Sequence, residues 1–133
     1  MKFDILTSFM QEGPLTFDIK GGCMQAVLPD GSQVRVERRG WYVPGDIVTF
    51  RRGENGIATH RILGYVPGRG GWRILTRADE AQRADAPVPL ACVLGRVTGI
   101  DGHAYRPGLR DRLRALGMWP LAALTWMWGR HAG

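Results

Sequence analysis

Residues 44–63, PGDIVTFRRGENGIATHRIL, decide the fold. Two short runs rich in β-branched and aromatic residues, DIVTFRR and IATHRIL, flank Glu54-Asn55-Gly56. A glycine at that point supplies the positive φ that a tight hairpin turn requires, so the stretch reads as two antiparallel strands. The pattern repeats outward. Toward the N-terminus lie LTFDIK and QVRVERR; toward the C-terminus the second strand continues through GYV to Gly68-Arg69-Gly70-Gly71, another turn signal, followed by WRILTRA and the long run PLACVLGRVTGI. Short strands separated by turns, with no helical period between them, imply a mainly β protein built on an antiparallel, partly closed sheet rather than a βαβ fold.

The two ends read differently. Phe3, Leu6, Phe9 and Met10 recur at helical spacing until Gly13-Pro14, which predicts a short N-terminal helix. After Arg106-Pro107-Gly108 the composition shifts to LRDRLRALGMWPLAALTWMWGRHAG, with Leu109, Leu113 and Leu116 on one helical face and arginines beside them. The chain therefore divides into a β domain over 1–106 and a basic, Trp-rich helical tail over 107–133. The apolar run from Ala115 to Trp128, interrupted by Pro120, would cover about 21 Å as a helix, short of the roughly 30 Å hydrocarbon core of a bilayer. Three readings stand for it: a helix packed on the sheet, an interfacial anchor, or a partner-binding segment.

With 133 residues, 44% of them hydrophobic, the chain can bury one core but not two. Its net charge of +6 is uneven: residues 103–133 hold five arginines against Asp111, +4 of the total. The nearly neutral body argues against a nucleic-acid binder, which would spread basic residues over its folded surface. A basic, Trp-rich tail suits peripheral contact with a membrane surface. Two cysteines 69 positions apart make no disulfide framework, so a reducing compartment is expected. Asp4 and Glu12 interrupt what an export signal would keep apolar, and the expected location is cytoplasmic, at or near the inner membrane surface. No cofactor and no metal are expected.

Three features can carry chemistry. Cys23 follows Gly21-Gly22, where a sharp turn would let a substrate approach; a thiol there is either a nucleophile with backbone N–H groups beside it or a small buried side chain. His60, in IATHRIL, is either structural or a proton acceptor near neutral pH. Asp79 and Asp85, in LTRADEAQRADAP, are either solvated turn residues or orienting carboxylates for an imidazole. Cys92, inside LACVLG, reads as core.

Together, nucleophile, base and carboxylate, in this order and with these surroundings, resemble the superfamily of type I signal peptidases and LexA-type repressor peptidases over about residues 17–98. Where that family has Ser-Met-x-Pro, an apolar residue and then Gly-Asp, this chain has GGCMQAVLPDGSQVRV. The family strand P-G-D-I-V-x-F is matched by Pro44 to Phe50. The general base, Lys in most bacterial enzymes and His in the archaeal and endoplasmic-reticulum branch, falls on His60 of His60-Arg61-Ile62. T-K-G-D is matched by Thr76-Arg77-Ala78-Asp79, a second Asp by Asp85, and V-L-G-R-V by Val93 to Val97.

The resemblance implies a coiled antiparallel β-sheet of the signal-peptidase type and an endopeptidase. Cys23 would attack, His60 would act as base and then acid, and Asp79 would hold the imidazole, with Asp85 in reserve. Gly22, Met24 and Gln25 would contact the substrate, an extended peptide or leader segment bound by strand addition. A His at the base position and about fourteen residues before the first strand point away from a DNA-binding repressor. The chain departs from the family pattern at Cys23 for Ser, Ala26 for Pro, Ser32 for Asp and Ala78 for Gly. A thiol paired with an imidazole remains a competent nucleophile, whereas the other changes also suit a catalytically inactive relative that binds peptides.

Overall fold

The computed structural model describes residues 13–19, 28–53 and 56–132, with side chains through Trp128. The helix expected over residues 1–12 lies outside them. Among the described residues, eight strands and one α-helix follow in chain order: β1 (Leu15–Asp18), β2 (Gln33–Glu37), β3 (Ile47–Arg52), β4 (Gly56–Gly68), β5 (Gly71–Arg77), β6 (Val88–Pro89), β7 (Val93–Ile100), β8 (His103–Ala104) and α1 (Leu109–Ala132). The strands form one sheet in the order β1-β2-β7-β3-β4-β5-β6, with β8 also on β7, and every pairing is antiparallel. The protein is mainly β.

The deciding stretch is the β3–β4 hairpin, closed by Arg52 opposite Gly56. Among the described turn residues the positive φ belongs to Gly53 (+70°), so the left-handed position comes earlier than the Gly56 expected; Glu54 and Asn55 are outside the described residues. Gly68 pairs with Gly71 across the next turn, with Gly70 at φ +79°. The run PLACVLGRVTGI is not one strand. Pro89 has no N–H to give a ladder, and the chain makes a 3-10 turn over Leu90–Cys92 before β7 begins. In that turn Cys92 is only partly buried, against the cluster that holds Val88 and Val93, rather than inside the core. Asp101 and Gly102, both at positive φ, add the small β7–β8 hairpin, an Asp-Gly signal overlooked in the sequence.

Apolar side chains cover both faces of the central strands, which is why β3 lacks hydrophobic alternation. Ile47 and Val48 are adjacent and both fully buried. Successive strand residues point to opposite faces. Ile47 packs with Leu28, Val34, Val36, Ala78, Leu94 and Val97, whereas Val48 packs with Tyr42, Phe50, Ile62, Ile74, Val88 and Val93.

A third cluster joins α1 to β4 and β5: Ala115 and Ala123 are buried against Leu63, Val66 and Leu75, with Met118, Trp119 and Trp126 alongside. Gly64 leaves room for the Trp119 ring, whose Nε1 donates to the Tyr65 carbonyl at 2.8 Å. At the start of α1, Arg112 donates from Nη1 to the Pro44 carbonyl (3.2 Å) and to Asp46 Oδ1 (3.1 Å). Gly45, at φ +99°, lets this helical turn come so close that a Cβ would sit 2.8 Å from Arg112 Cα. One face of α1 is thus packed on the sheet. No helix among the described residues is long and apolar enough to cross a membrane.

Candidate active site

His60 lies in mid-β4, opposite Val48 of β3, and is 4% exposed. Its ring meets Phe50 edge to face, with centroids 5.7 Å apart. Its Nδ1 is 2.6 Å from Asp85 Oδ2, and Thr76 Oγ1 donates to the same oxygen at 2.8 Å. The local chain path explains why Asp85 is there. Beyond β5 the chain turns at Ala78, whose carbonyl accepts from Ala81 N, and returns so that Asp85 N donates to the Thr76 carbonyl at 2.8 Å. Thr76 pairs with Ile62, two positions from His60, so its side chain shares the imidazole's face of the sheet.

Asp79 does not orient His60, contrary to the expectation from the T-K-G-D match. It forms a two-pronged pair with Arg61, Nε to Oδ1 and Nη2 to Oδ2, both at 2.9 Å. The reason is strand alternation: His60 and Arg61 are neighbours on β4 and point to opposite faces, so each takes the carboxylate on its own side. Arg61 also donates to the Gly45 carbonyl (2.8 Å) and to Tyr105 Oη (3.3 Å), tying the Pro44-Gly45 corner to the end of the sheet. Burial disfavours the guanidinium charge, but Asp79 and Tyr105 outweigh it and hold Arg61 firmly protonated. This is a structural brace.

Burial pushes the Asp85 carboxyl up; the bond and positive field of His60, the Thr76 hydroxyl and the field of Arg52 outweigh it and hold Asp85 below the usual carboxylate value. An ionised Asp85 takes the proton on Nδ1 as its donor, which leaves Nε2 as the basic nitrogen of the ring. The arrangement can therefore accept a proton at Nε2 and stabilise the imidazolium that forms. Thr76, which fixes the carboxylate, was quoted in the motif match but not singled out; a buried hydroxyl on the His60 face was its only signal.

Cys23, Gly22, Met24 and Gln25 lie outside the described residues. The chain that carries them leaves the sheet at Ile19, whose N–H donates to Ser32 O (2.7 Å) while its carbonyl accepts from Gly31 N (2.8 Å), and is described again from the fully buried Leu28. Cavities of about 380 and 370 Å³ lie elsewhere: one is lined by Arg61, Asp79 and Arg114, the other by Asp46, Arg96 and Arg112, and His60 lines neither. Among the described residues, no group of three or more His, Cys, Asp or Glu is arranged to hold a metal ion. No family model matches the chain, and no curated protein matches it.

Proposed function

We infer that the chain is an endopeptidase of signal-peptidase-like architecture that cleaves an extended peptide or leader segment with Cys23, His60 and Asp85. The observation that carries this reading is the 2.6 Å contact of His60 Nδ1 with a carboxylate held ionised and braced by Thr76. A buried imidazole needs a hydrogen-bond partner in either role, but an ionised carboxylate braced by a hydroxyl also stabilises the imidazolium that proton transfer creates. The antiparallel sheet, with the Pro44-Gly45-Asp46 corner leading into β3 and His60 on β4, supports the resemblance to the signal-peptidase type. Ala78, a departure from the family's glycine, is buried among Leu28, Val34 and Leu94, so its methyl is accommodated as core.

In the mechanism, Nε2 of His60 takes the Cys23 thiol proton and the thiolate adds to the scissile carbonyl. Collapse breaks the C–N bond, the imidazolium gives its proton to the leaving amine, and a thioester remains. Water, deprotonated by the same nitrogen, then adds to the thioester; collapse breaks the C–S bond and releases the new carboxyl terminus, and the imidazolium returns its proton to the Cys23 thiolate.

The test is alkylation of Cys23 in a Cys92→Ser background at about pH 6.5, where an ordinary thiol of pKa about 8.5 is almost wholly protonated. The expected result is alkylation at least tenfold faster than glutathione, lost in His60→Ala, together with cleavage of candidate leader peptides seen by mass spectrometry. A rate equal to glutathione, or one indifferent to His60, sinks the peptidase and leaves the peptide-binding module, the reading favoured by Ala26 in place of the motif proline.

A further inference from the structure

The face of α1 turned away from the sheet is also apolar. Leu109, Leu113, Leu116, Leu121, Leu124, Met127 and Trp128 are all exposed, from 48% for Met127 to 74% for Trp128. At 3.6 residues per turn, positions 109, 113, 116, 120, 124 and 127 fall within an arc of about 80°, and 121 and 128 widen it by about 60° on one side. Ala115, Trp119, Ala123 and Trp126, which pack on β4 and β5, occupy the neighbouring arc of about 80°, with Ala123 and Leu116 at the shared border. The helix therefore has two apolar faces, of which the sheet covers one. An exposed apolar stripe of this length on a folded domain marks a contact surface.

Charge selects the occupant. Arg106, Arg110 and Arg114 are exposed at the start of the stripe and along the flank that holds Leu121 and Trp128. The acid of that helical turn, Asp111, is held at the cap, where its Oδ2 accepts from Gly108 N, and Arg112 is engaged by Asp46 on the sheet side. Arg106 and Arg110 thus put positive charge on the outward face, and Arg114 adds to it at the rim of the cavity that it lines with Asp79, Glu80 and Asp111. The stripe of a second copy carries no acidic residue to meet these arginines, whereas an anionic surface would neutralise them. We propose that α1 docks flat on an anionic lipid surface, with its leucine stripe and Trp128 in the headgroup–acyl boundary and Arg106, Arg110 and Arg114 among the phosphates. Trp119 and Trp126, which the sequence alone would also assign to the membrane, are engaged by the sheet, and Trp128 is the anchor. The surface is independent of whether the chain cleaves peptides.

Co-sedimentation with vesicles of phosphatidylcholine alone, and of phosphatidylcholine mixed with phosphatidylglycerol, tests this with the full chain. Binding is expected to the mixed vesicles only, and to weaken sharply between about 0.1 M and about 1 M salt as the Debye length falls from about 10 to about 3 Å. Arg110→Gln with Arg114→Gln should weaken it about 30-fold, at roughly fivefold per arginine near an anionic surface. Leu113→Glu and Leu124→Glu should each weaken it about tenfold or more, and Trp128→Phe should remove the vesicle-induced blue shift of emission. Circular dichroism should be the same for every variant, because each changes an exposed side chain. Protein left in the supernatant with mixed vesicles at low salt overturns the proposal, as does equal binding to neutral vesicles. A dimer in sedimentation velocity that Leu113→Glu dissociates also overturns it and gives the stripe to a second copy.

Discussion

Gly64 and Trp119 make the docking of α1 testable with one methyl group. A Cβ built on Gly64 would lie 2.7 Å from both Cγ and Nε1 of the Trp119 ring, and nearer still to Cδ1. Ordinary carbon contacts lie at about 3.5–4.0 Å, so Gly64→Ala must push the indole away by about 1 Å. That stretches the 2.8 Å bond from Nε1 to the Tyr65 carbonyl beyond hydrogen-bonding range. Leaving that carbonyl unpaired costs about 1–3 kcal/mol, and lifting the ring forfeits packing of similar size. The reduced freedom of the unfolded chain returns only about 0.4–1 kcal/mol. The net expectation is a loss of about 2–3 kcal/mol, which at roughly 2.1 cal/mol/K per residue lowers Tm by about 7–11 °C. In a Trp119→Ala background the same Gly64→Ala change should be neutral or slightly stabilising, because the atoms it strikes are gone. Thermal unfolding of the four proteins in the cycle decides it. A Tm drop of the same size in both backgrounds would show that the methyl does not act through the indole.

The two carboxylates should separate cleanly. Asp85→Asn is expected to leave the fold intact while reducing turnover about 10³–10⁴-fold and returning Cys23 alkylation toward the glutathione rate, since the amide no longer holds the productive tautomer. Asp79→Asn should instead destabilise by about 2–3 kcal/mol, leaving the buried Arg61 with a neutral partner, and keep the reactivity of the surviving folded protein; denaturant melts and alkylation rates read the two effects. In acid, the folded Asp85 carboxyl titrates below its unfolded value of 3.8, so the unfolded state binds the proton first. Its stabilising contribution is therefore complete above that value and lost as pH falls through the lower folded one. The difference in unfolding free energy between the wild type and Asp85→Asn should accordingly shrink below about pH 4, and a difference that grows on acidification would contradict the sign.

Much of this architecture was legible because its determinants are local. The existence of the two hairpins and the extended runs between them are written in glycine placement and β-branched residues, although the left-handed residue among those described in the first turn is Gly53 and not the expected Gly56. What distance in sequence conceals is partner choice. Asp79 and Asp85 both follow β5 in one polar loop, and only the pairing of Arg61 with Arg77 and of Ile62 with Thr76 determines which face each can reach. The two-sided helix was obscured for a related reason. With Trp119 and Ala123 facing the sheet and Leu116, Leu121 and Leu124 facing outward, residues 109–128 show little amphipathic period, so the run could not be apportioned between core and surface.

The placement of β7 between β2 and β3 bears on how the molecule comes to exist during synthesis. Among the described residues, the β1–β2 pair, from whose connection Cys23 comes, and the β3–β4–β5 meander, which brings His60 to Asp85, share ladder pairings only through β7. Val36 must find Val97, and Val48 must find Arg96, across about 60 and about 50 residues. Such distant pairings carry a loop-closure cost and form late, after each local hairpin has had time to close. A nascent chain halted before Val93 would hold both hairpins with nothing to bridge them. On the proposed function, the segment that carries the thiol and the strand that carries the imidazole would join one sheet only after the ribosome had released β7, residues 93–100, and reactivity would arise with completion of the sheet.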